Sequence, residues 1–273
     1  MLPASDLPAP LGTDPEGRPY VVRAHELGMS FRTTNERQQT LKGTIAGALR
    51  RQKTGRTVNA LGGVDFSVAK GSVYGVIGRN GAGKSTLFRL VAGILTPTSG
   101  QVAVYGHVTP LLSLGVGFNR ELTGRENILL GGLASGLDPQ QIVEQYHNIL
   151  TFADLGEAIH SPMRTYSSGM FARLGFALAV HLDPDILLID EALSAGDAKF
   201  KQRTTDKIAE LAESDVTFLL VSHGLEIVRQ MADRCLWLEA GLVRSEGPAD
   251  EVVDAYLAND GVAPVATTAM ADL

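Results

Sequence analysis

An α/β fold, a parallel sheet with helices over both faces, is what this sequence predicts, and three observations carry the prediction. Apolar runs of strand length recur within residues 73–78, 185–190 and 217–222, and strands that read as nearly unbroken apolar runs are those buried on both faces. Helical periodicity lies between them, which is the alternation of a βαβ chain. The turn after the first run is rich in glycine, GRNGAGKST at 78–86, and leads straight into an apolar helical run. With 273 residues, of which 44% are hydrophobic and 20% charged, the chain suits one large domain or a domain with a subdomain.

The elements follow in order. Residues 1–21 mix prolines and acids without an apolar period and read as a disordered arm. They have neither the basic start nor the apolar stretch of a signal peptide. Residues 22–31 read as a strand. The segment 32–59 is a polar, basic insertion in which Leu41, Ile45, Ala48 and Leu49 share one helical face, with Lys42, Arg50, Arg51 and Lys53 nearby. Residues 58–72, VNALGGVDFSVAKGS, read as two short strands joined by turns. After the glycine-rich turn come a helix at 86–95, a strand at 100–106 and a mostly helical region from 126 to 137. Asp138-Pro139 opens a further helix that keeps Ile142, Val143, Tyr146 and Ile149 in period. The helix at 170–182 is apolar on most sides and so buried. Strands at 185–190 and 217–222 flank a helix around 203–213, a last helix covers 251–257, and 261–273 reads as a flexible tail.

Charge and cysteine content narrow the functions. A net charge of -6 and a pI near 5.5 argue against nucleic acid held by bulk charge. The single cysteine, Cys235, excludes an internal disulfide framework, fits a reducing compartment and reads as a small core hydrophobe beside Leu236 and Trp237. No apolar run approaches the roughly 20 residues that cross a bilayer.

Four segments carry chemistry. Gly78, Gly83, Lys84 and Ser85 hold the fixed positions of the pattern G-x-x-x-x-G-K-[ST] between a strand and a helix. Such a turn, here Gly78, Asn80, Gly81, Ala82 and Gly83 running into Lys84, Ser85 and Thr86, points backbone N–H groups at a polyphosphate on a helix N-terminus. Lys84 is placed for the β- and γ-phosphates and the Ser85 hydroxyl for Mg²⁺. The strand ILLI ends in Asp190, a candidate to hold the metal through water, and Glu191, a candidate to polarise or deprotonate an attacking water. Ser167, Ser168 and Gly169 open the buried helix, where small residues either present hydroxyl and N–H groups to phosphate or simply cap it. His223, at a strand end one strand beyond Asp190, is a candidate donor to the γ-phosphate.

In this order, the phosphate loop, the SSG segment, ILLIDE, the turn Ala195-Gly196-Asp197 and His223 resemble the nucleotide-binding subunit of an ATP-binding-cassette transporter, over roughly residues 22–260. The resemblance implies a P-loop NTPase parallel-sheet core with an antiparallel β subdomain and a helical signature subdomain at about 122–180. It also implies a head-to-tail homodimer of cassettes with two ATP molecules between subunits. Lys84, Ser85, Asp190, Glu191 and His223 would then act on one ATP. Ser168 and Gly169 would come from the opposing subunit, and Asp197 would sit in the turn linking the two sites. Phe31 is the candidate aromatic that stacks on adenine.

The departures narrow the resemblance. The signature is YSSGM rather than LSGGQ, the turn after Glu191 is SAGD rather than SxLD, and residues 111–127 lack the glutamine that family members use to sense Mg²⁺. Asn119 or water is left to take its place. YSSGM, the pair Leu114-Gly115 and LTGREN together are similar to the branch that exports O-antigens, teichoic acids and other polyprenyl-linked polysaccharides. That branch implies a separate polytopic membrane channel subunit that handles the lipid-linked glycan, a peripheral position on the cytoplasmic face of the inner membrane, and a place beside the channel for the basic insertion. It leaves no room here for the carbohydrate-binding β-sandwich that some of its members carry. The alternatives are an importer or drug-export ATPase, and a soluble cassette acting on ribosomes or DNA.

Overall fold

The computed structural model describes residues 11–33, 56–111, 118–189, 197–221 and 224–260. A six-stranded sheet, ordered β5-β6-β7-β3-β8-β9, forms the centre. Its strands are β3 (Val73–Ile77), β5 (Val108–Pro110), β6 (Ile186–Ile189), β7 (Thr217–Val221), β8 (Arg234–Glu239) and β9 (Leu242–Pro248). All neighbouring pairs are parallel except β8 and β9, which form a hairpin. β6 and β7 are buried at every position, as unbroken apolar runs require. A separate antiparallel sheet of β1 (Tyr20–Thr33), β2 (Arg56–Ala69) and β4 (Ser99–Val104) has the order β2-β1-β4.

Three hydrophobic clusters follow from this layering. One lies between the antiparallel sheet, the helix α1 (Lys84–Val91) and one face of the central sheet, around Tyr74, Phe88, Leu188 and Leu236. The second covers the other face of the central sheet, around Phe176, Phe200, Phe218 and Val253, with α5 (Ala198–Ala212), α6 (Leu225–Met231) and α7 (Ala249–Asp260). The third belongs to α2 (Gly124–Ala134), α3 (Pro139–Ala153) and α4 (Ser168–His181), packed through Ile128, Ile149, Met163 and Leu174. α4 serves two clusters, since Leu174 and Leu178 face the helices while Phe176 and Val180 face the sheet. That double burial is why its sequence is apolar on most sides. Among the described residues no helix is long and apolar enough to cross a membrane.

Several expectations need correction. Residues 11–21, read as disordered, form an ordered turn: Asp14 accepts the backbone N–H groups of Glu16 and Arg18 and pairs with the Arg18 guanidinium, and Thr13 bridges Pro19. Residues 58–72 are not two strands. β2 runs unbroken through Gly63, whose φ of 72° sits at a shift in the register with β1. A left-handed glycine there makes a bulge that bends the strand rather than a turn that ends it. α1 starts on Lys84 itself and stops at Val91, because Gly93 takes a φ of 69° and Ile94 N–H returns to Arg89 O. The expectation for Cys235 holds: it is fully buried in β8, and burial pushes its thiol up to about 12.

Candidate functional site

The three central strands β6, β7 and β3 are parallel and in register, with Ile189 opposite Leu220 and Val76 opposite Val221. They therefore end at one edge of the sheet, and the loop 78–83 leaves β3 at that edge. Asp190, Glu191 and His223, the acids and histidine expected after β6 and β7, lie outside the described residues.

Backbone holds the loop in place. Gly78 has a φ of 146°, and a Cβ there would drive into the Leu238 carbonyl oxygen of β8. Gly83 has a φ of 110°, and a Cβ there would lie 2.7 Å from Ala60 O on β2. Only glycine fits both requirements. Gly81, with a φ of 80°, faces open space. A contact that the sequence reading missed completes the cradle. The hairpin turn Ala240-Gly241 joining β8 and β9 has φ values of 49° and 81°. Gly241 N–H donates to Ala82 O at 3.0 Å, and Gly241 O accepts from Gly62 N–H at 2.9 Å. The glycine just after the apolar run of β8 was the available signal.

The loop ends on a helix N-terminus that presents positive potential. α1 follows its N-cap Gly83 without a side-chain cap and has no acid in its first turn, which leaves the amide end of the helix suited to an anion. By contrast, Thr123, Asp138, Ser167 and Asp197 each cap the helix they precede. Lys84 is buried, with its ammonium donating to Gly78 O at 2.6 Å and Arg79 O at 3.1 Å, so its charge is held within the loop. Asn80 and Ser85 are exposed, Thr86 half-buried and Ala82 buried under the loop. Phe31 lies on β1 opposite Val58, both partly exposed, and β2 continues from Val58 to the Ala60 carbonyl that abuts Gly83.

Ser167, Ser168 and Gly169 belong to the helical cluster rather than to the sheet edge. Ser167 Oγ accepts from Met170 N–H at 3.2 Å and so caps α4. Ser168 is exposed, and a Cβ on Gly169 would have nothing nearer than Ser167 Oγ at 3.9 Å. Side chains hold this helix start. Tyr166 donates its hydroxyl to Ala158 O at 2.8 Å, and burial raises its phenol pKa. Asp197 caps α5 with Oδ1 on Phe200 N–H at 2.8 Å, while its Oδ2 accepts from Arg173 on α4 at 3.2 Å. Both of its oxygens are therefore engaged within the subunit. Asn119 is likewise committed: its Oδ1 accepts from Glu121 N–H, and its backbone N–H and C=O both pair with the fully buried side chain of Asn127. Leu114 and Gly115 lie outside the described residues.

Comparison with known proteins agrees with this geometry. The family described as ABC transporter matches residues 61–194. An O-antigen export system ATP-binding protein, RfbB, of Klebsiella pneumoniae is 44% identical over 202 residues, covering 74% of this chain and 82% of the relative. RfbB of Myxococcus xanthus is 41% identical over 82% of this chain, and the teichoic acids export ATP-binding protein TagH of Bacillus anthracis 44% identical over 87%. This chain spans 52% of the Myxococcus protein and 42% of the Bacillus protein. Among solved structures, the ATP-binding subunit of an ABC transporter superposes with a TM-score of 0.69 at 22% identity, over 86% of this chain and 93% of its own. A dimeric ATP-binding cassette bound to ADP and Pi superposes with 0.66 at 19%, over 84% and 98%. A glycine-bounded phosphate loop at the edge of a parallel sheet, a helical cluster headed by Ser167–Gly169, and relatives of this similarity lead to one conclusion: the chain belongs to the ABC transporter family, among its ATP-binding cassettes.

Proposed function

We propose that the chain is the ATP-hydrolysing subunit of an exporter that moves a polyprenyl-linked polysaccharide across the cytoplasmic membrane through a separate polytopic channel protein. The observation that carries the ATPase half is the uncapped α1 N-terminus, bounded by Gly78 and Gly83, with the Lys84 ammonium buried on the loop carbonyls. The export half is supported by identities of 41–44% to proteins named for O-antigen and teichoic acid export. In this reading residues 22–260 form the cassette, with a helical part at about 122–180.

Each residue then has a role. The loop amides and Lys84 bind the β- and γ-phosphates, and Phe31 flanks the adenine. The exposed Ser85 hydroxyl, in a helical turn free of acids, is a hard oxygen donor of the kind Mg²⁺ takes, with Asp190 acting through water. Mg²⁺ supplies charge neutralisation on the transferring phosphoryl group. Glu191 accepts the proton of the attacking water and His223 donates to the γ-phosphate. Two cassettes pair head to tail, so that Ser168 and Gly169 of one close over the phosphates bound by the other. Asp197 keeps the linking turn in place rather than meeting phosphate, which a carboxylate would repel. The subunit sits peripherally on the cytoplasmic face, beside its channel.

A gentle detergent pull-down of tagged protein tests the reading. A multi-span membrane protein should co-purify, and depletion of this chain should accumulate a lipid-linked glycan. Ribosomes or DNA in the pull-down would favour a soluble cassette, and a channel without glycan accumulation would favour an importer or drug exporter.

A further inference from the structure

Arg173 stands five residues along α4 from Ser168, about 7.5 Å of helix rise. Its guanidinium makes three contacts with two other elements, the start of α5 and the end of α3. Nη2 donates to Asp197 Oδ2 at 3.2 Å, Nη1 to Asp154 O at 3.3 Å, and the planar group lies 5.3 Å from the centre of the Phe200 ring. Asp197 returns to Phe200 through its other oxygen, which accepts Phe200 N–H. The four groups therefore close a ring: guanidinium, carboxylate, backbone amide, aromatic face. Phe200 is buried and packs edge-on against Phe152 and Phe176, so one side of the ring is anchored in the core.

We propose that Arg173 is a positioning residue that locks the signature start, Ser167 to Gly169, to Asp197 and thereby to the turn linking the two ATP sites. This rests on the function proposed above. The Arg173 side chain is largely covered while Asp197 is 62% exposed, and a pair that open to water contributes little to stability. What the ring fixes is geometry. α4 cannot shift along its axis without pulling the carboxylate that caps α5. Lysine cannot reproduce this arrangement, since its single nitrogen cannot reach Asp154 and Asp197 from two separate positions while a planar group lies over the ring.

The molecule contains its own control. Arg203 on α5 grips the same end of α3, through Asp154 Oδ2 at 2.9 Å and Phe152 O at 3.2 Å, and among the described residues its hydrogen bonds go to α3 and not to Asp197. The test compares R173M, R173K, D197N, R173M/D197N and R203M in the full chain. The readouts are kcat and KM for ATP with Mg²⁺, melting temperature, and ATP-driven dimerisation in an E191Q background. R173M and R173K should lower kcat by about ten- to a hundredfold with KM for ATP nearly unchanged, because the displaced groups act on the neighbour's nucleotide. The double variant should be no slower than the worse single one. R203M should lower the melting temperature at least as much as R173M while keeping most of kcat.

Multiplicative losses in the double variant, full activity in R173K, or an equal kcat loss in R203M would each overturn the lock. If turnover stops in E191Q and ATP drives its dimerisation, the cassette reading holds whichever way Arg173 behaves. If neither the parent nor E191Q responds to ATP, both ideas fall.

Discussion

The phosphate loop and the signature start are both helix N-termini, but they are held by opposite means. At the first, backbone packs on backbone: Gly78 against Leu238, Gly83 against Ala60, and Gly241 bonded to Ala82. At the second, side chains do the holding, through Tyr166 on Ala158, Ser167 on Met170 and Arg173 on Asp197. A backbone cradle has no spare rotamer and tolerates no added atom. A side-chain cradle tolerates added atoms at its tip and responds to the loss of a single contact. The first suits a site that must keep one shape, and the second a site that must travel as a unit toward a partner.

Substitutions at the glycines give the sharpest test of that contrast. Gly78→Ala should be the most damaging, costing about 3 kcal/mol through the clash with Leu238 and the forced φ, and abolishing nucleotide binding. Thermal melting and fluorescent-ATP titration would check it, and a normal melting temperature would show that β8 yields more than its packing suggests. Lys84→Met should come next, with a loss of about 3 kcal/mol in ATP affinity, roughly a hundredfold in Kd, and an intact fold. Equilibrium titration measures it.

Gly169→Ala makes the comparison from the other side. The added methyl meets open space and alanine favours helix, so the melting temperature should stay the same or rise, while ATP-driven dimerisation is lost. Unchanged dimerisation would remove Gly169 from the contact with the neighbour's phosphates. Tyr166→Phe should cost about 1 kcal/mol in urea unfolding, the net worth of one hydrogen bond to Ala158 O.

The smallest effect concerns acid. The hydrogen bond from Arg203 holds the Asp154 carboxyl below its ordinary range. A depressed carboxylate contributes stability above its unfolded pKa and loses it as pH falls through the folded one. Arg203→Met should therefore flatten the stability curve slightly below the usual carboxylate range, as read from melting temperature against pH.

What sequence could show depended on where the determining contacts lie. β3, β6 and β7 were legible because strands buried on both faces are apolar throughout, and α3 because Asp138-Pro139 is a local start signal with its own hydrogen bonds. β2 was split in the reading because Gly62-Gly63 looks like a turn, and only pairing with β1 shows a bulge. Residues 11–21 looked disordered because their order comes from short polar contacts such as Asp14 with Arg18, and from the pairing of Tyr20 with Ala69. At the site, the loop from Gly78 to Thr86 was legible because its chemistry is contiguous. Gly241 and Arg173 were not, since each matters through neighbours far away in the chain.

Cys235 offers a practical opening for all of these measurements. It is the chain's single cysteine, and with its thiol buried and pushed up to about 12 it carries almost no thiolate at neutral pH. The natural sequence is thus already a silent background for thiol-directed probes. One cysteine introduced at exposed Asn80 and another at exposed Ser168 would take spin labels or cross-linkers selectively. The approach of two cassettes could then be followed as a distance, without first stripping the protein of its own sulfur.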